Sequence, residues 1–245
     1  MENNSEINSK LSIVTVTYNN ISGLIKTVNS IKKQSFECYE HIVIDGNSID
    51  GTVEFLNEQC QNEKFIYLSE NDTGIFNAMN KGISLAAGGW LLFLNAGDIF
   101  PTDTTLEKIR MTGVFEDNSL ELIYGDKIDS TGRIIKAERD LSCLYLGEMP
   151  ACHQSIFFRN NITYDESFRI FGDIDLLSKI YLTEPKYEYI EISISIYEGG
   201  GISGKISWLK RKEKFRSLFN NFGLWCLLDN YIFSTNFYKK VFTWK

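Results

Sequence analysis

The period of apolar and polar positions changes repeatedly along the first hundred residues. LSIVTVT (11–17) is an uninterrupted β-branched run of strand length. ISGLIKTVNSIKKQ (21–34) then places Ile21, Leu24, Ile25, Val28 and Ile31 at helical spacing. HIVID (41–45) predicts a second strand, and DGTVEFLNEQC (50–60) a helix with Asp50 as its N-cap. KFIYLS (64–69) predicts a third strand, and GIFNAMNKGISLAAGG (74–89) a helix stopped by Gly88-Gly89. WLLFLNAGD (90–98) reads as a fourth strand ending in a polar turn. Apolar strand runs without alternation are covered on both faces, so these strand–helix repeats predict a parallel sheet.

Beyond residue 100 the pattern loosens. It predicts a helix over 102–111, a strand over 121–126 and a hairpin turn within 129–136. A strand over 153–158, a helix over 171–182 and an alternating strand over 187–197 follow. Gly199 to Gly201 read as a hinge, although a backbone cradle near phosphate is the other reading. We expect a body at 1–204 and a helical C-terminal extension at 205–245.

Charge sharpens that division. The chain has 245 residues and a net charge of -7. From 205 onward there are nine Lys/Arg and two acids, giving +7, so the first 204 residues carry -14. The same extension holds 11 of the 33 aromatic residues. In 208–219, Lys210, Arg211 and Lys214 recur at helical spacing, with Trp208, Phe215, Leu218, Phe219 and Phe222 largely on another face. Such a helix packs on its own body or docks at an anionic membrane surface. The five cysteines form no CxxC pair, which argues against a zinc site or a disulfide framework and for reduced thiols in a cytoplasm. The N-terminus lacks an apolar secretory segment, and no run approaches the roughly 18 apolar residues of a membrane span. The expected localisation is cytoplasmic or peripheral on the inner face of the cell membrane, with no nucleic-acid partner.

Four polar clusters fall at predicted strand ends: Thr17-Tyr18-Asn19, Asp45-Gly46-Asn47-Ser48, Ser69-Glu70-Asn71-Asp72 and Asn95-Ala96-Gly97-Asp98. Ligands of open α/β sheets sit beyond such ends. No GxGxxG follows the first strand, and neither a P-loop nor GxSxG is present, which argues against dinucleotide, NTPase and serine-hydrolase sites. A crevice of carboxylates, amides and one tyrosine suits a nucleobase, a ribose and a metal-bridged diphosphate.

TVTYNN, VIDGNSIDGT, ENDTGIFNAMNKG and WLLFLNAGD, in this order and spacing, resemble the family 2 glycosyltransferases of GT-A fold. The nearest branch is that of bacterial exopolysaccharide, colanic-acid-like and O-antigen transferases. The resemblance covers 11 to about 204. It implies an α/β fold with a Rossmann-like, mostly parallel sheet flanked by helices. It also implies inverting transfer from a nucleotide-diphosphate sugar, UDP-sugar favoured, with Mg²⁺ or Mn²⁺. The implied acceptor is a glycan hydroxyl, carried on a polyprenyl diphosphate, in surface polysaccharide synthesis.

Residue by residue, the resemblance puts Tyr18 beside the base, although a tyrosine at a strand end also serves as a plain capping aromatic. Thr17, Asn19 and Asn95 join the nucleotide-sugar set. Asp45 matches the Asp that accepts from a base N–H, and Asp72 and Asn80 match positions that close over the nucleoside. Met79 stands where the family usually has Arg, so one phosphate contact is missing. The metal motif keeps only Asp98 as a carboxylate, so metal affinity without nucleotide should be weak. FGDIDLL places Asp173 on the catalytic-base position, where a carboxylate takes the acceptor's proton as the new bond forms. Asp175 is a secondary candidate. His153 and Gln154 fall near the acceptor or diphosphate, with a hydrogen-bonded structural role as the other reading of His153. Two further functions compete: a non-catalytic nucleotide-sugar-binding protein whose metal motif has decayed, and a sugar-nucleotide nucleotidyltransferase. The latter usually carries a Gly- and Lys/Arg-rich loop that TYNNISG lacks.

Overall fold

The structure is a computed structural model, and it describes residues 10–197 and 208–231. Eight strands form one mixed sheet: β1 (Leu11–Thr17), β2 (Tyr39–Asp45), β3 (Phe65–Ser69), β4 (Trp90–Phe93), β5 (Leu122–Ile128), β6 (Ile134–Ile135), β7 (Ile156–Arg159) and β8 (Tyr187–Ile196). The order is β3-β2-β1-β4-β7-β5-β6, with β8 beside β5. β1, β2, β3 and β4 pair in parallel, as the strand–helix repeats predict. β7 runs antiparallel between β4 and β5, and β8 returns parallel to β5.

Side-chain alternation divides the core between the two faces of the sheet. Val14, Ile44, Leu91 and Phe93 pack with Phe76 and Met79 of α3 (Ile75–Leu85) and with Ile174 and Leu177 of α5 (Gly172–Tyr181). Leu11, Ile13, Trp90 and Leu92 pack on the other face, with Ile31 of α1 (Ile21–Lys32) and Ile109 of α4 (Thr105–Arg110). Both faces are therefore dry, which is why β1 and β2 show no polar alternation.

Several boundaries shift for local reasons. α2 (Thr52–Gln59) has Gly51, not Asp50, as its N-cap. The Asp50 carboxylate instead accepts from the Thr52 hydroxyl and from the Ile21 N–H at 2.6 and 2.9 Å, tying α2 to the start of α1. β4 ends at Phe93 rather than Asp98, because the chain turns there and the Asp98 N–H donates back to Asn95. Residues 153–155 form a 3₁₀ turn before β7, since buried Gln154 and Ser155 spend their side chains on Asp98 and on the Asp126 carbonyl. The expected hairpin is β5–β6.

α6 (Trp208–Tyr231) is two helical stretches merged across a kink at Gly223. Its inner face carries Glu213, Ser217, Leu218, Cys226 and Leu227, all buried. Phe222 packs partly buried beside them, whereas Trp208, Phe215 and Phe219 face outward. Of the residues the apolar pattern marks, Leu218 and Phe222 thus pack inward and Trp208, Phe215 and Phe219 do not, because Glu213 and Ser217 hydrogen-bond inward and set the rotation of the helix. The boundary expected after 204, and Gly199 to Gly201, lie outside the described residues.

Candidate active site

The carboxyl ends of β1, β2 and β4 open into a cavity of about 840 Å³, within the roughly 300–1,000 Å³ of ligand pockets. Thr17, Tyr18, Asp72, Asn95, Asp98, His153, Gln154 and Asp173 all line it. Tyr18 is 68% exposed, its ring beside Gly46. A Cβ on Gly46 would meet both that ring and the Asp72 carboxylate at 3.2 Å, so glycine keeps the gap between them open. Asp72 is held by Lys81 at 2.7 Å.

Three expected nucleotide-binding residues do not reach this wall. Asp45 is fully buried; its oxygens accept from the Ser48 hydroxyl, from the Ser48 N–H at 3.0 Å and from the Ser69 hydroxyl at 2.6 Å. Asn19 accepts from the Ile49 N–H at 2.9 Å, and its own N–H donates to Ser48. Both carboxamide and carboxylate therefore shape the loops that present Tyr18 and Gly46. Asn80 donates to the Tyr164 carbonyl and to Glu166, and accepts from the Tyr164 N–H. Met79, where an Arg was expected, is buried in the core.

The turn after β4 and the start of α5 meet through the 153–154 segment. Asn95 Nδ2 lies 2.9 Å from His153 Nε2, and His153 Nδ1 lies 3.4 Å from Asp173 Oδ2. Gln154 donates to Asp98 at 2.7 Å. Asp173 sits in the first turn of α5, where the helix dipole favours a carboxylate. Its Oδ1 is buried without a hydrogen-bond partner. The neighbouring Tyr164 hydroxyl is pushed well above the usual phenol range, chiefly by burial and then by the Asp173 charge. Burial pushes the Cys152 thiol up to about 11, so it stays protonated and donates to Gln154. Asp175 faces away: it pairs with Lys179 at 2.7 Å and accepts from Ser217 and Asn221 of α6.

A second cavity of about 360 Å³ adjoins the first. The two share Lys127, Cys152, His153, Ile170 and Asp173. Pattern reading missed Lys127, Arg169 and Tyr197, which line the larger cavity, and Lys210, which lines the smaller. None sits in a recognisable motif; only their proximity in the fold reveals them.

Residues 12–126 match the family described as Glycosyl transferase family 2. A PGL/p-HBAD biosynthesis glycosyltransferase of Mycobacterium bovis is 32% identical over 214 residues, 82% of each chain. This chain belongs to glycosyltransferase family 2. Among solved structures, Staphylococcus aureus TarS 1-349 in complex with UDP aligns with a TM-score of 0.69 at 16% identity. That alignment covers 86% of this chain and 65% of TarS 1-349. The mannosyltransferase PcManGT from Pyrobaculum calidifontis, in complex with GDP-Man and Mn²⁺, aligns at 0.64 and 15% identity, covering 86% of this chain and 63% of that one. This chain thus spans less than two thirds of either structure, and the likeness shows a GT-A fold.

Family 2 membership raises the question of a metal. Among the described residues no group of three or more His, Cys, Asp or Glu could hold one. The donor set nevertheless fits a hard cation held jointly with substrate. Asp98 supplies a carboxylate, and Asn95 Oδ1 is a buried carbonyl oxygen with no partner. Mg²⁺-type ions take few protein ligands and fill the rest with phosphate and water oxygens.

Proposed function

We propose that this family 2 glycosyltransferase moves a sugar, with inversion, from a nucleoside-diphosphate sugar to a hydroxyl of a glycan acceptor. One observation carries the reading: Asp173 stands on the wall shared by the two cavities, linked through His153 to the Asn95–Asp98 turn. The donor occupies the larger cavity, its base beside Tyr18 and its diphosphate near Asn95 and Asp98. The acceptor enters the smaller one, and its hydroxyl gives its proton to Asp173 as it attacks the anomeric carbon. His153 fixes the orientation of that carboxylate. Asp98 and Asn95 would hold a Mg²⁺ or Mn²⁺, which would supply Lewis-acid stabilisation of the leaving diphosphate. The UDP of TarS and the GDP-Man and Mn²⁺ of PcManGT support this donor class and metal. The PGL/p-HBAD biosynthesis relative and the exposed aromatic face of α6 support an acceptor carried on lipid, at the inner face of the cell membrane.

Retention of Asp98 and Asp173 in one cavity favours a transferase over a pure binding protein. Asp173→Asn tests this. An amide cannot take the proton, so turnover should fall at least ~10²-fold while nucleotide-sugar affinity holds. Near wild-type turnover by this variant would remove Asp173 as the base.

A further inference from the structure

Arg169 lies in the segment between Tyr164 and α5 and lines the donor cavity. Its backbone is fixed from α6. The N–H groups of Arg169, Ile170 and Phe171 donate to the buried Glu213 carboxylate at 2.9, 2.9 and 3.0 Å. Its guanidinium extends to the start of α3, so close to Gly74 that a Cβ there would collide with Nη1. Among the described residues this guanidinium has no hydrogen-bond or ion-pair partner. The acids of the same lining are otherwise engaged: Asp72 with Lys81, Asp98 with Gln154 and Asp173 with His153. Lys127, another cation of the lining, has its ammonium 5.0 Å over the Tyr197 ring.

A guanidinium is charged at any physiological pH and presents paired donors that match two phosphate oxygens. Holding one on anchored backbone, at a cavity wall, with no side-chain partner among the described residues, serves an anion that arrives with the ligand. We propose that Arg169 binds the diphosphate of the nucleotide-sugar donor. Gly74 leaves the room for the side chain to lie along the cavity wall, and Glu213 fixes the backbone from which it reaches. The assignment rests on reading the larger cavity as the donor site.

The test is calorimetric titration of UDP and GDP into the full chain, its Arg169→Gln variant and its Arg169→Lys variant. Uridine and guanosine are measured by competition against the same diphosphate. Arg169 is exposed, so the fold should persist, as melting curves will show. Arg169→Gln should lose on the order of 10- to 100-fold in affinity for the diphosphate that the wild type binds, the size of charge-assisted hydrogen bonds. Nucleoside affinity should not change, and Arg169→Lys should recover part of the loss. Equal diphosphate affinity in wild type and Arg169→Gln overturns the assignment and leaves the donor reading standing. An equal loss for nucleoside and diphosphate also overturns it, because the side chain would then be shaping the pocket. A wild type that binds neither UDP nor GDP overturns the donor reading together with the assignment.

Discussion

At the scale of single residues, the site economises on carboxylates. Asp98 is the one acid of its turn, and Asn95 keeps an unpartnered oxygen beside it. A divalent ion should therefore bind weakly to the free protein and well in the presence of nucleotide. Asp98→Ala should abolish the dependence of donor binding on Mn²⁺, measured by titrating the nucleotide sugar with and without the ion. An unchanged metal titration would place the ion on other ligands. That Asp98 lines the cavity was legible in the sequence because it follows closely on a strand end. Asp45 shows the limit of that reading. A strand-end Asp followed by Gly looks like a ligand, yet Ser48 and Ser69 converge on it and consume both oxygens. The convergence depends on β2 and β3 being neighbours, which local sequence does not encode.

At the scale of elements, the strand–helix repeats of the first hundred residues were legible because β1, β2 and β4 are buried on both faces and the helices between them on one. The second half was less so. β7 is four residues long, and its neighbours are chosen by tertiary contacts of Gln154 and Ser155. α6 shows the strongest disagreement between pattern and packing. Its apolar residues suited either burial or a membrane surface; Leu218 and Phe222 turn inward, but so does a single acid of the basic run. Glu213 accepts three backbone N–H groups of the turn that opens α5. Removing it leaves those donors without a partner, at a cost of about 1–3 kcal/mol. Glu213→Ala should accordingly lower the melting temperature by several degrees, at about 2–4 °C per kcal/mol for a chain of this size. A melting temperature within a degree of wild type would mean that the turn holds its shape without α6.

At the scale of the molecule, packing α6 by the face of Glu213, Ser217, Leu218 and Leu227 leaves an unusual outer surface. Trp208 and Trp225 are each 76% exposed, and Phe215, Phe219 and Leu224 are exposed with them. Arg211 and Lys212 stand exposed in the same helix, and Lys210 reaches the smaller cavity. Among the described residues no helix is long and apolar enough to cross a membrane. Exposed aromatics and bases side by side on this element instead suit the interface of an anionic bilayer, where each base near the surface contributes about 1 kcal/mol. Lys210 puts that surface beside the cavity assigned to the acceptor, so docking would bring a lipid-carried acceptor to Asp173 without its leaving the bilayer. The protein should sediment with anionic liposomes at low salt and be released as the Debye length shrinks from ~10 Å at 0.1 M to ~3 Å at 1 M. Truncation after Gly204 should weaken sedimentation, but it also removes Glu213 and loosens the body. The sharper variant combines Trp208→Ser, Phe215→Ser and Trp225→Ser, all on the outer face, and should reduce liposome binding while leaving nucleotide affinity intact. If the full chain ignores anionic liposomes at low salt, α6 serves the fold or a protein partner instead, and the acceptor must reach the smaller cavity from solution.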